Sequence, residues 1–429
     1  MIHDSIVALN YICYNMLMLR KHVVIIGGGW GGMALARHLR KIPKNKIRIS
    51  LISDDQNFRY SPGLYRVATG HREKEAVIPI TDLTAKIDSL EFIKARATHI
   101  NRSKKIVNIE GGQEIHYDYL VISVGAVTNF FDIPGLKERS FGIKTPREIH
   151  KFRAHLHQTL IDDKKPDKNY VVVGGGPTGV ELSAALASYI KKVTKRHGLP
   201  ASKINIELVQ AGSRLIPQSQ PKASKLVLTR LRKLGVKVHL NAKVEGESED
   251  SLRYNNRSIP TRTVIWTAGT TNNALFKAHR NHFPLSPSGR VIVDERLRVD
   301  AYTYVIGDNA ETLFSGLAFT AVQNAKYVAS DIKKRLYGQL KTPYYRPLQP
   351  LTAIPVGARW AVFQRKNIVI SGFLGGVLRS FADLVGYIDI AGFGMGLKLW
   401  LGSSHKEEKC YICQTAIKKE DWVTQSSYS

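Results

Sequence analysis

The sequence predicts an α/β chain with two parallel, doubly wound sheets, followed by a smaller C-terminal segment. Three observations predict it. A short apolar run at 23–26 leads into Gly27, Gly29 and Gly32, then a helical stretch at 33–40 and a second strand at 47–53. The pattern returns 147 residues later: 171–173 leads into Gly174, Gly176 and Gly179, a helix runs through Ile190, and 204–210 is the next strand. Finally, 429 residues with 43% hydrophobic content can fill two or three cores. Strand, glycine turn, helix, strand is the βαβ unit of a dinucleotide-binding, Rossmann-like fold.

The physical case for each turn is specific. The first glycine permits the tight turn, the second lets backbone amides approach a pyrophosphate, and the third lets helix and strand pack closely. The helix start adds unsatisfied N–H groups and partial positive charge. One such turn is weak, because glycines also serve ordinary turns. Two copies in βαβ context predict two bound dinucleotides.

Between and after the turns, 119–124 and 264–268 read as buried strands ending in Gly125 and Gly269. Short strands at 291–293 and 304–306 precede Gly307 and Asp308, and 315–336 reads as a helix. The proline-rich stretch 342–355 reads as a linker. A hairpin (360–363 with 368–370) and an apolar segment, 375–401, follow, and the last 28 residues read as a mobile polar tail. The first 17 residues read as an extension: they lack a basic n-region and a small-residue cleavage site, and Met18 is a natural start.

Composition excludes several classes. The chain is not disordered, collagenous or disulfide-stapled. Three cysteines do not make a disulfide framework and fit a reducing compartment. No stretch reaches the roughly 20 apolar residues of a spanning helix; 384–401 contains Asp389, Lys398 and glycines. Net charge is +28, and residues 185–240 hold twelve Lys/Arg against one acid, Glu207. Such a surface attracts anions or simply serves solubility. It lacks the aromatic interleaving of a base-stacking surface, so nucleic acid ranks low as a partner.

Several motifs carry a family resemblance: IIGGGWGG at 25–32, NFRYSPGLYRVATG at 57–70, YDYLVISVG at 117–125, NFFDIPG at 129–135, VGGGPTGVEL at 173–182, VIWTAG at 264–269 and VIGD at 305–308. In this order, over about residues 20–340, the chain resembles the type II NADH dehydrogenases of the pyridine-nucleotide flavoprotein superfamily. The resemblance implies a monotopic enzyme that passes electrons from NADH through FAD to a quinone without pumping protons. It implies a homodimer on the cytoplasmic face of the cell membrane. It divides the chain into an extension (1–20), an FAD-binding part (21–145), an NAD(P)H-binding part (146–285), a return to the FAD part (286–340) and a C-terminal region with an amphipathic membrane anchor (341–429).

Carried over residue by residue, Gly27, Gly28, Gly29, Trp30, Gly31 and Gly32 would meet the FAD pyrophosphate. Asp308 would meet a ribitol hydroxyl, and Thr98 and Gly125 would complete the flavin contacts. The acid for the adenosine ribose falls on Asp54, although strict counting reaches Ser53. Gly174, Gly176, Thr178, Gly179 and Gly269 would meet NADH. Glu181 would lie near the nicotinamide and position it; alternatively it complements the helix dipole. On the quinone side, the family's Ala-Gln-x-Ala-x-Gln-Gln run is AFTAVQN at 318–324. Thr320 and Gln323 share a helix face there, while Phe319 replaces the first glutamine.

Gln210 stands where relatives carry an acid that repels the 2′-phosphate of NADPH. With Arg214 nearby, NADPH should be less excluded than in those relatives. Disulfide reductases and sulfide:quinone oxidoreductases of this fold need reactive cysteines beside the flavin. Here Cys13, Cys410 and Cys413 are all terminal. Cys410 and Cys413 have knuckle spacing, but with His405 alone beside them no metal site is assembled. Two other readings are a soluble ferredoxin-type reductase, disfavoured by the apolar C-terminal segment, and a binding flavoprotein resembling apoptosis-inducing factor.

Along 375–401, Val377, Leu378, Phe381, Leu384, Val385 and Ile388 form a helical apolar stripe. Trp400 suits a lipid interface, and Arg379 and Lys398 would meet anionic head groups. The alternative is a helix packed on the core or on a second subunit.

Overall fold

The computed structural model describes residues 20–199, 204–339 and 341–403. The N-terminal extension, the polar C-terminal tail and all three cysteines lie outside them.

The β-branched run of β1 (Lys21–Ile26) is buried on both faces, as a central parallel strand requires. It pairs in parallel with β2 (Ile47–Ser53), which pairs with β3 (Leu90–Lys94); on its other side β1 pairs with β4 (Tyr119–Ile122). Helix α1 (Trp30–Leu39) connects β1 to β2 and buries Met33, Leu35, Ala36 and Leu39.

The second unit repeats the scheme. Strand β5 (Asn169–Val173) leads into α2 (Pro177–Arg196) and β6 (Asn205–Val209). Helix α3 (Pro221–Lys233), β7 (Val236–His239) and β8 (Thr263–Trp266) complete a parallel sheet ordered β7–β6–β5–β8. The chain then returns: β9 (Thr303–Val305) pairs with β4, giving β9–β4–β1–β2–β3, and α4 (Ala318–Leu336) packs along α1. This is the doubly wound α/β fold expected, with the first unit discontinuous.

The return begins earlier than residue 286. Phe276 and Phe283 are fully buried with Val24, Ile26 and Leu120, so their apolar surface belongs to the first unit. A two-stranded ribbon pairing Ala126–Thr128 with Thr270–Asn272 marks the crossing.

The C-terminal part departs from expectation in two places. The proline-rich stretch is not only a linker: β10 (Thr352–Pro355) joins β11 (Ala361–Arg365) and β12 (Ile368–Gly372) in an antiparallel sheet. The apolar segment is two helices, α5 (Phe373–Ala391) and α6 (Phe393–Gly402), broken at Gly392. Gly392 has φ +84°, a left-handed backbone conformation that favours glycine at the break. Residues 291–293 form only isolated bridges through Val291.

Candidate active site: two open glycine turns and a buried charge cluster

The two turns share one geometry. Gly27 and Gly174 sit at φ +109° and +114°. A Cβ on Gly32 would lie 1.9 Å from the Gly27 carbonyl oxygen, and one on Gly179 would lie 1.9 Å from that of Gly174. The protein itself therefore demands the first and third glycines. The middle ones differ: a Cβ on Gly29 or Gly176 would meet nothing within 4 Å. Both adopt ordinary extended backbone as N-caps of α1 and α2, without a capping side chain. Open space at an uncapped helix start is what a bound phosphate uses.

Around the first turn, Ser123 closes over Gly27 and Gly31, and Ser53 lies against Gly28. Asp54 is exposed and reaches Arg96 at 3.5 Å, while Asp55 holds Arg59. Thr98 stands apart in an exposed strand, its hydroxyl donating to the Asn108 carbonyl at 3.2 Å. Asp308 is half-buried; burial pushes its carboxyl above the usual range, while Arg290 and Lys144 hold it back. Gly125, at φ +69°, is clamped by Asn309, which accepts from its N–H and donates to its carbonyl, both at 2.9 Å. Gly269 has the same left-handed backbone, at φ +78°, and lies against the Phe131 ring.

At the second turn Gln210 takes the place Ser53 holds at the first. Its Oε1 accepts the Gly175 N–H at 2.8 Å. Thr178 is exposed in the first turn of α2. Arg214 donates to the carbonyls of Ser219, at 2.8 Å, and Pro217, so part of its fork is already engaged. Thr320 is buried and donates to the Phe314 carbonyl at 2.8 Å, holding Phe314 at φ +67°. Gln323 is half-buried and makes no side-chain hydrogen bond among the described residues.

Glu181 is buried in the first turns of α2, and burial pushes its carboxyl up to about 8, with Arg379, Asp383 and Arg66 as its charged neighbours. These belong to a cluster closed by α5. Asp383 accepts from Arg379 and from the Tyr60 hydroxyl, both at 2.6 Å, and Arg66 lies 3.9 Å away. Tyr387 stacks on Tyr60 at 4.1 Å and donates to the Glu75 carbonyl at 2.8 Å. Trp30 packs against Phe58 and Tyr60. The cluster thus ties the first turn, α2 and the C-terminal helix together.

This corrects one expectation about α5, the role of Arg379. Arg379 does not meet head groups: it is buried against Asp383 and the Pro62 carbonyl. Trp400 donates its indole N–H to the Ser380 carbonyl at 2.9 Å, joining α6 to α5. Helix α5 docks on the core through Asp383, Tyr387 and Ile390, while Phe373, Leu374, Phe381, Val385, Phe393 and Leu401 are 56–72% exposed. No helix among the described residues is long and apolar enough to cross a membrane. Sequence reasoning missed Tyr60, Arg66, Asp383 and Tyr387. The available signal was an Arg–Asp pair four apart inside an otherwise apolar helix, since such charges rarely sit there without buried partners.

Two consequences are measurable. Asp383→Ala takes the carboxylate away from buried Arg379 and Tyr60, leaving them only weaker carbonyl acceptors, and is expected to lower unfolding free energy by about 3 kcal/mol in denaturant titration. Glu181 binds its proton in the folded chain up to about pH 8 but releases it near 4.5 when unfolded. Its contribution is full below pH 4.5, declines as pH rises, and is gone above about 8. Glu181→Gln should remove roughly 1 kcal/mol per pH unit from that negative slope. Glu247, also pushed up to about 8 by burial, keeps its own share in both proteins.

Two phosphate-ready turns on paired parallel sheets define a two-dinucleotide oxidoreductase fold. The model of the pyridine nucleotide-disulphide oxidoreductase family matches residues 21–327, and the chain belongs to that family. It is 29% identical over 344 residues to the type II NADH:quinone oxidoreductase Ndh of Mycobacterium tuberculosis, covering 74% of this chain and 73% of that one. It is 24% identical over 399 residues to the type II NADH:quinone oxidoreductase of Staphylococcus saprophyticus, covering 88% and 98%. Its fold is similar to that of Plasmodium falciparum NDH2 in complex with NADH, with TM-score 0.81, 18% identity, and 91% and 99% of the chains covered. The Aquifex aeolicus sulfide:quinone oxidoreductase gives 0.74 at 21% identity, covering 87% and 92%.

Proposed function

We propose that the chain oxidises NADH and reduces a membrane quinone by way of FAD, without moving protons across the membrane. The observation that carries this reading is the pair of turns whose middle glycines face open space, with Glu181 buried at the start of the second helix. The described residues contain no cysteine, which disfavours disulfide and sulfide chemistry despite the shared fold.

A bound flavin would supply hydride acceptance from NADH and electron delivery to the quinone. Gly27–Gly32 and the start of α1 would hold its pyrophosphate, with Asp308 on a ribitol hydroxyl. Ser53 and Asp54 are the candidates for the adenosine ribose, and Ser53 is the one beside the turn. Gly174–Gly179, Thr178 and Gln210 would hold the nicotinamide nucleotide. The neutral Glu181 carboxyl offers a hydrogen-bond donor at neutral pH. Gln323, with its amide uncommitted, suits a quinone carbonyl; Thr320 retains only acceptor capacity and serves to fix the Phe314 loop. Purified protein should be yellow, bleach with NADH and recolour with a soluble quinone. Bleaching without recolouring, together with turnover on a ferredoxin, would favour the soluble reductase instead.

The exposed side chains of α5 and α6 form the membrane-facing surface in this reading, placing the protein peripherally on the cytoplasmic leaflet. Their apolar rings point outward while the same helices are pinned by buried polar bonds, the reverse of an ordinary surface helix. Phe373→Asp with Phe393→Asp should weaken vesicle binding by at least about 30-fold, because two rings leave an apolar phase. NADH:ferricyanide activity should persist. Unchanged vesicle binding with conversion of a dimer to a monomer would make this face a subunit contact.

A further inference from the structure

Helix α3 carries Lys222, Lys225, Arg230, Arg232 and Lys233 and no acid. Its solvent face and the C-terminal sheet enclose an open pocket of about 400 Å³. Lys222, Lys225, Arg230 and Lys233 line one side, Trp360 and Ser371 the other. Arg230 lies over the Trp360 ring at 5.5 Å and donates to the Val356 carbonyl at 3.3 Å, so one cation is fixed in place. None of these four cations has a carboxylate partner among the described residues. Four uncompensated charges around one concavity repel one another, and an anion relieves that repulsion.

The position of the pocket says which anion. Ser371 precedes the exposed Phe373 and Leu374 by two and three residues, and a Cβ on Gly376 would touch the Arg359 carbonyl at 2.8 Å, so the start of α5 is seated beside Trp360. At the N-terminal end of α3, the Gln220 side chain donates to the Lys366 carbonyl at 2.8 Å, bringing the basic β11–β12 turn and the exposed Ile368 alongside. Basic pocket and outward apolar face are therefore continuous. A phosphate bearing acyl chains satisfies both at once; a soluble phosphate satisfies only the first.

We propose that this pocket binds the head-group phosphate of an anionic phospholipid, fixing the orientation in which the apolar face of α5 enters the membrane. The proposal rests on the membrane reading above and adds a lipid class to it. Indole and guanidinium at an interface suit this role, since one edge is apolar and the other charged.

The test is flotation of the full-length, flavin-loaded protein with two vesicle types, pure phosphatidylcholine and phosphatidylcholine with phosphatidylglycerol. Lys225→Ala with Lys233→Ala is compared with Lys104→Ala with Lys137→Ala, exposed lysines on other elements. The pocket pair should weaken binding to the anionic vesicles about 10- to 30-fold, from the usual contribution per basic residue, with little change on phosphatidylcholine. The control pair should change either by less than about 3-fold. Equal losses from both pairs would overturn the pocket in favour of diffuse charge. A wild type that binds both vesicles equally, unaffected by either pair, would overturn it while leaving the membrane reading intact. A wild type that binds neither would remove both. Selective loss of inorganic phosphate or DNA binding with unchanged vesicle binding would reassign the pocket to that ligand and overturn the lipid.

Discussion

Gly29→Val is expected to yield folded but colourless protein. The substituted side chain meets no protein atom within 4 Å at Cβ, and the backbone, at φ −82°, is one that valine adopts without strain. The fold should therefore survive, with the melting temperature of flavin-free wild type. A pyrophosphate brought against the amides at the start of α1 would meet the valine methyls. Losing two such charge-assisted hydrogen bonds removes about 3–6 kcal/mol, or flavin binding weaker by about 100-fold or more. Gly32→Ala makes the contrast, because its Cβ would collide with the Gly27 carbonyl and misfold the turn itself. Full flavin absorbance in folded Gly29→Val would refute the assignment of the first turn.

The βαβ units were legible because their signals are local and backbone-driven. Apolar runs, glycine spacing and strand endings specify the turns wherever the rest of the chain lies, and β1, α1, β5 and α2 follow them. The discontinuity of the first unit came through the resemblance, since periodicity alone cannot say that β9 pairs with β4. Illegible were features made by contacts distant in sequence. Tyr60 meets Asp383 across 323 residues, and no pattern near either announces the other. The same applies to Asn309, which reaches back to Gly125. Helix α5 departs most from expectation, because much of its apolar stripe is exposed while its buried face carries Asp383 and Tyr387 beside Ile390. Periodicity reports which residues share a face, and not whether that face turns inward. Removing everything after Tyr345 would accordingly strip Asp383 from Tyr60 and Tyr387 from Glu75 as well as deleting the apolar surface. The point substitutions Phe373→Asp and Phe393→Asp separate those effects.

Gln210→Glu should cut kcat/KM for NADPH far more than for NADH. The Gln210 Oε1 already accepts the Gly175 N–H, so a carboxylate keeps that bond and strengthens it, and the turn should not move. What changes is the other arm. In the native chain it is an amide N–H₂, a donor that suits a ribose hydroxyl or a 2′-phosphate alike. In the variant it is a second carboxylate oxygen, which accepts from two ribose hydroxyls but repels a phosphate dianion. Arg214 offsets this repulsion only partly, because its guanidinium is tied to the carbonyls of Ser219 and Pro217 and is not free to swing onto the nucleotide. The net discrimination should be about 10- to 100-fold, corresponding to a few kcal/mol of charge repulsion in a partly desolvated site. It should appear mainly in KM, since the interaction lies on the adenosine end and is equally present in ground and transition states. The measurement is kcat/KM for both nucleotides in wild type and variant, at fixed quinone and ionic strength. If both fall by the same factor, Gln210 serves only to hold Gly175 and the ribose, and phosphate selectivity is set elsewhere.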